Sequence, residues 1–264
     1  MIAAGTECYR HGTLPSTGQG RSWNDEELDT AIKNHVSGLV FDDQGKADIQ
    51  EMLAGVADTA FEREQLAQVL TAPGDVENWR VGEAIAEAYL TEHRACLFPW
   101  PDGRDERKSG SSLPGADLVG FQRDIHGDRF AFGEVKTSGE AKYPPGAMYG
   151  RTGLKQQLED LRDKVSIRND LFMYLGHRAK NAPWGDRFKA ASKRYLNNTS
   201  DVQLFGVLVR DVEPNVDDVR TRVEKLGCDC PADTHVELLA LYLPNGVIDN
   251  LGAQALAVRS GGGA

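Results

Sequence analysis

The chain is predicted to adopt an α/β fold, and three observations carry that prediction. From about Trp79 onward, short runs rich in Val, Leu and Phe alternate with segments of helical periodicity, the pattern of strands and helices that share a core. Pro- and Gly-rich stretches at 72–75 and 99–114 punctuate that alternation. The composition, 264 residues with 40% hydrophobic and 27% charged, is that of a folded globular chain, not a disordered or membrane-embedded one.

Taken in order, residues 1–23 are rich in Gly, Ser and Thr with little periodicity and read as an irregular lead-in. From Asn24, Leu28, Ala31, Ile32, His35, Val36 and Leu39 recur at helical spacing, with Asn24 or Asp25 as the N-cap. Further helices are expected near 47–59 and 62–70. These elements make residues 1–74 an acidic helical region, followed by an α/β domain over 75–264. That domain opens with WRVGEAIAEAYLTEH, a helix whose apolar stripe is Val81, Ile85, Ala88 and Tyr89, with Glu83 and Glu87 one turn apart on another face. ADLVGFQRD and RFAFGEVKTS read as two strands joined by a polar turn at 124–128. GLKQQLEDLRDKV is a helix with Leu154, Leu158, Leu161 and Val165 inward, and DLFMYLGHRA fits a strand or a helix equally well. RFKAASKRYL (helix), VQLFGVLVRDV (strand), VDDVRTRVEKL (helix), HVELLALYLP (strand) and VIDNLGAQALAV (helix) complete the alternation.

No window approaches the roughly 18 consecutive apolar residues of a membrane span. The N-terminus lacks the basic flank and apolar run of a secretory signal, so a cytoplasmic protein is expected. Four scattered cysteines exclude a disulfide framework, and Cys228-x-Cys230 near His235 is only a fragment of a zinc pattern. The net charge of −10 argues against a general nucleic-acid coat, because duplex binding depends on neutralising phosphates. The charge is uneven, however: residues 151–200 carry 11 basic against 5 acidic residues, including Arg151, Lys155, Arg178 and Lys180. Alone, such a run is an ordinary solvated helix face.

The chemically suggestive cluster is Asp117 on one strand and Glu134-Val135-Lys136 on the next. Strand alternation sends Glu134 and Lys136 to one face and Val135 to the other. Two carboxylates facing one ammonium form an acidic pocket whose oxygen donors suit Mg²⁺ or Mn²⁺. A metal held there can polarise a phosphodiester while the lysine orients or deprotonates water. The bland counterpart is a structural charge network of the same three residues.

Asp117 followed by Glu134-x-Lys136, after a helix bearing Glu83 and before another helix, resembles the PD-(D/E)XK nuclease superfamily. The resemblance implies a restriction-endonuclease-like αβββαβ core with a mixed sheet and metal-dependent hydrolysis of nucleic acid. It makes Asp117 and Glu134 metal ligands, the Val135 carbonyl a further ligand, Lys136 the water-orienting group and Glu83 an additional acid. Gln156 or Gln157 falls where RecB-like members carry a glutamine, but the tyrosine expected four residues on is absent. The runs WRVGEAIAEAYL, LPGADLVGF, FGEVKTS and LGHR also resemble the nuclease subunit of Hachiman-type antiphage systems, which works beside a helicase.

The expectation is therefore a Mg²⁺-dependent deoxyribonuclease in antiviral defence, with DNA and a helicase as partners and no membrane. Arg151, Lys155, Gln156, Arg178 and Lys180 are the expected nucleic-acid contacts. The alternatives are a catalytically silent DNA-binding or helicase-docking module of the same fold, and an RNA-directed nuclease.

Overall fold

The computed structural model describes residues 1–71, 74–105 and 115–261. One mixed sheet contains β1 (Thr6–Thr13), β2 (Ser16–Ser22), β3 (Cys96–Leu97), β4 (Leu118–Asp124), β5 (Gly127–Ser138), β6 (Val202–Arg210) and β7 (His235–Tyr242). Their order across the sheet is β1-β2-β7-β6-β5-β4-β3. The central strands β2, β7, β6 and β5 run parallel, and antiparallel pairs close both edges.

The helices are α1 (Asp25–Ala31), which passes through a π-turn into α2 (Ser37–Val40), then α3 (Asp43–Met52), α4 (Ala60–Val69) and α5 (Asn78–His93). After β5 come α6 (Leu154–Asp163), α7 (Val165–Ala179) and α8 (Gly185–Asn197). Two more follow, α9 (Arg220–Gly227) and α10 (Leu251–Gly261). Alternation on the strands divides the core in two. Val135, Phe205, Val207 and Leu239 pack against Val81 and Ile85 of α5, Ile32, Val36 and Leu251. On the other face Phe130, Phe132, Leu204 and Leu238 meet Leu154 and Leu158 of α6, Leu175 of α7, Tyr195 of α8 and Val223 of α9. Covered on both sides, β6 is buried at every residue, as central parallel strands are.

The expectation for residues 1–23 is overturned: they form the β1–β2 hairpin, and β2 pairs in parallel with β7 from Ser16↔Val236 to Ser22↔Tyr242. The glycines that read as loop are required by packing. A Cβ on Gly18 would lie 2.6 Å from Val223 Cγ2 of α9, and one on Gly20 2.4 Å from the Tyr9 ring. Nor do the first 41 residues stand apart, since Trp23, Leu28, Ile32, Val36 and Phe41 share one buried cluster with α5 and α10.

The helix expected near 47–59 is α3, which starts earlier and ends at Met52, but other local signals hold. Asn24 caps α1 in a full capping box with Glu27, which satisfies two terminal donors reciprocally. The β4–β5 turn is tighter than expected, since pairing reaches Asp124↔Gly127. The ambiguous DLFMYLGHRA is helical, within α7, and Val165 opens that helix instead of closing α6. The expected turn residues Ala72 and Pro73, and the loop positions 106–114, lie outside the described residues.

Candidate active site

Asp117 immediately precedes β4, and Glu134 and Lys136 sit on the adjoining strand β5, where the two strands stop pairing at Leu118↔Gly133. At that fork Asp117 Oδ2 accepts a hydrogen bond from the Val135 backbone N–H at 2.7 Å. The Lys136 ammonium lies 3.5 Å from Glu134 Oε2 and 3.9 Å from Asp117 Oδ2. The three charged groups thus converge. Val135 points to the opposite face and is buried among the α5 contacts.

Glu134 is only 1% exposed. Burial first, and then the negative charge of Asp117, push its carboxyl up to about 9, against the opposing pull of Lys136. Burying an ionised carboxylate beside another is costly unless a cation compensates. One lysine at the margin does not provide that compensation.

Glu83 and Glu87, half-buried on α5, line one cleft with Asp117, Leu118 and Arg80. The helix therefore brings its acids to the same end of the sheet as the fork. Among the described residues no group of three or more His, Cys, Asp or Glu side chains is close enough to hold a metal ion. The donor set is thus the Asp117–Glu134 pair. Two carboxylates are what Mg²⁺ commonly takes from protein, with water and phosphate oxygens completing its shell, so the residues present fit such an ion.

The expected nucleic-acid contacts are dispersed. Arg151 and Lys180 are exposed. Lys155 pairs with Glu159 at 2.6 Å, and Gln156 donates to Asp160 at 3.0 Å. Arg178 pairs with Asp105 at 2.6 Å and lies 3.8 Å from the Tyr174 ring centre. Much of the basic run is neutralised within the fold. Arg187 binds Asp128, and Arg194 binds both Asp124 and Asp201, tying α8 to the β4–β5 turn. His126 is exposed in that turn, and His177 is exposed near the end of α7. Cys228 and Cys230 are free thiols, and His235 faces Arg129 across 3.1 Å.

The sequence reading passed over two features of the site. Trp100 stands at the wall of the Glu83–Asp117 cleft, and its place in a Pro-rich loop gave no periodicity to mark it. Arg210, fully buried, donates to the carbonyls of Ser138 and Lys142, both at 2.9 Å, and so fixes the chain just beyond Lys136. An arginine ending a strand that is otherwise apolar but for Gln203 was the available signal.

Neither the protein-family models nor the curated proteins compared with this chain give a match. No described helix is long and apolar enough to cross a membrane.

Proposed function

We propose that this protein is a Mg²⁺-dependent nuclease that hydrolyses phosphodiester bonds of DNA, acting beside a helicase in antiphage defence. The observation that carries the reading is the fork itself. Asp117 is locked by the Val135 N–H against a buried Glu134 and a half-buried Lys136, the three side chains that the PD-(D/E)XK resemblance requires. The element order α5-β3-β4-β5-α6 and then β6, with α7 and α8 inserted, agrees with the αβββαβ core that the resemblance implies.

Asp117 and Glu134 would hold the ion, and Mn²⁺ fits the same oxygen donors. When bound, it supplies Lewis-acid polarisation of the scissile phosphate and neutralises developing charge. Lys136 orients the attacking water and donates to a phosphate oxygen from its half-buried position. Glu83 orders water at the cleft wall.

The test is incubation of plasmid and linear DNA with Mg²⁺, comparing the wild type with Glu134→Ala and Lys136→Ala. Cleavage that persists unchanged in both variants would refute the site. Binding of DNA without turnover under any divalent ion would favour the catalytically silent module, and cleavage of RNA alone would reassign the substrate.

A further inference from the structure

The cleft at Asp117 does not end at Glu83. Leu39, Val40, Arg80, Trp100, Pro101 and Gly103 line both it and a larger chamber of about 780 Å³, walled on the far side by α3 and the end of α4. That volume lies within the roughly 300–1,000 Å³ range of small-molecule sites. Most of the wall is apolar, from Leu39, Val40, Phe41, Ile49, Val69 and Val76. Its charged groups include Asp42, Asp48, Asp75 and Glu77 as well as Lys46, Arg80 and Arg104, and Arg104 is held by Asp42. Among the described residues, four carboxylates against three cations make this a poor seat for a phosphate. Trp100 adds an aromatic face to that wall.

We propose that the chamber receives an unpaired nucleobase adjacent to the scissile phosphate, so that the substrate is single-stranded or frayed nucleic acid. The inference rests on the nuclease reading, in which Asp117 and Glu83 line the cleft that the chamber extends. A base within a duplex is stacked and paired, and it enters such a chamber only after extrusion. A base in a single strand enters without that cost, and apolar and aromatic walls hold it irrespective of sequence.

Two measurements test this. The first is calorimetric titration with the dinucleotide pdTpdT in EDTA, where no cleavage occurs. Wild type is expected to bind saturably. Ile49→Trp, which fills the chamber from a 42% exposed position, is expected to weaken binding about tenfold, the size of one lost base-stacking contact. Val69→Trp, which fills the chamber from another exposed wall position, provides a second variant should Ile49→Trp fail to fold.

The second is cleavage of a 30-nucleotide single strand against its blunt duplex with Mg²⁺. The single strand is expected to be cut at least about tenfold faster, with both chamber variants slowed on it. Equal rates on the two substrates, or dinucleotide binding and single-strand cleavage unaffected by both chamber variants, overturns the proposal and leaves the nuclease intact. Dinucleotide binding that is lost in the chamber variants, in a wild type that never cleaves, supports the chamber and removes the nuclease reading.

Discussion

Replacing Arg210 by Met tests the buried network that backs the site. The guanidinium has no exposed surface, and neither has its counter-charge Asp218, 3.4 Å away. It also donates to the Ser138 and Lys142 carbonyls. Asp218 in turn accepts from the Tyr242 hydroxyl at 2.8 Å, and that hydroxyl meets Tyr9 at 2.7 Å. Methionine preserves the apolar stem but leaves a buried carboxylate without its counter-charge and two carbonyls without the guanidinium donor. Breaking one side of a buried pair costs about 3–5 kcal/mol, a large fraction of the stability of a typical domain. Urea denaturation at pH 7 should show that loss.

Its pH dependence gives a second check. Burial raises the Asp218 carboxyl, and Arg210 is the main opposing influence. Without Arg210 the folded-state value rises further, so Asp218 costs least at pH values where the unfolded carboxyl is protonated. The deficit of Arg210→Met should therefore shrink as pH falls toward 4 and grow toward neutrality. Arg210→Met with Asp218→Asn should recover part of it, because the unpaired charge is gone. A loss below about 1 kcal/mol, or one independent of pH, would refute the view that this pair is a buried, compensated charge.

Other outcomes follow from the same geometry. Gly18→Val forces a side chain into Val223 and should cost about 1–3 kcal/mol in a denaturant titration; no loss would mean that α9 does not approach β2 this closely. In EDTA, Glu134 has a raised folded-state value, so its stabilising effect is complete below the ordinary carboxyl range and is lost as pH climbs toward about 9. The wild type should lose stability relative to Glu134→Gln as pH rises above the ordinary carboxyl range, and parallel stability profiles would show Glu134 to be ionised in the fold. Asp124 is held below its ordinary range, where the Arg194 hydrogen bond and charge and the His126 N–H outweigh burial. Its contribution is present above that range and lost as pH falls, so Arg194→Ala should remove part of the acid-side decline in a pH titration of stability. A fragment beginning at residue 71 should not fold, since it lacks Trp23, Leu28, Ile32 and Val36 from the cluster they share with α5; a cooperative melt from it would refute that sharing.

Much of the local architecture was legible. The α5 stripe, the β4–β5 pair and the mostly apolar β6 announce themselves because burial on one or two faces imposes a period that side chains must obey. The β1–β2 hairpin did not, because its stabilisation comes from backbone pairing with β7 and from glycines that admit α9 and Tyr9. Neither leaves an apolar alternation. The basic run over 151–200 likewise read as a surface charge field. Its arginines 187 and 194 instead close ion pairs with Asp128, Asp124 and Asp201, partners supplied by the distant β4–β5 turn and the segment before β6.

The sequence by itself determined that Glu134 and Lys136 share a face of one strand, since a two-residue period admits no other arrangement. It also determined that Glu83 rides on an amphipathic helix. Only the tertiary structure decided that Asp117 swings from the end of β4 to accept the Val135 N–H, that α5 brings Glu83 to the same cleft, and that the cleft widens into the chamber behind Trp100. Local period is a property of neighbouring residues. Convergence of three elements, and the space left between them, depends on how the sheet forks and how helices from both ends of the chain pack around it.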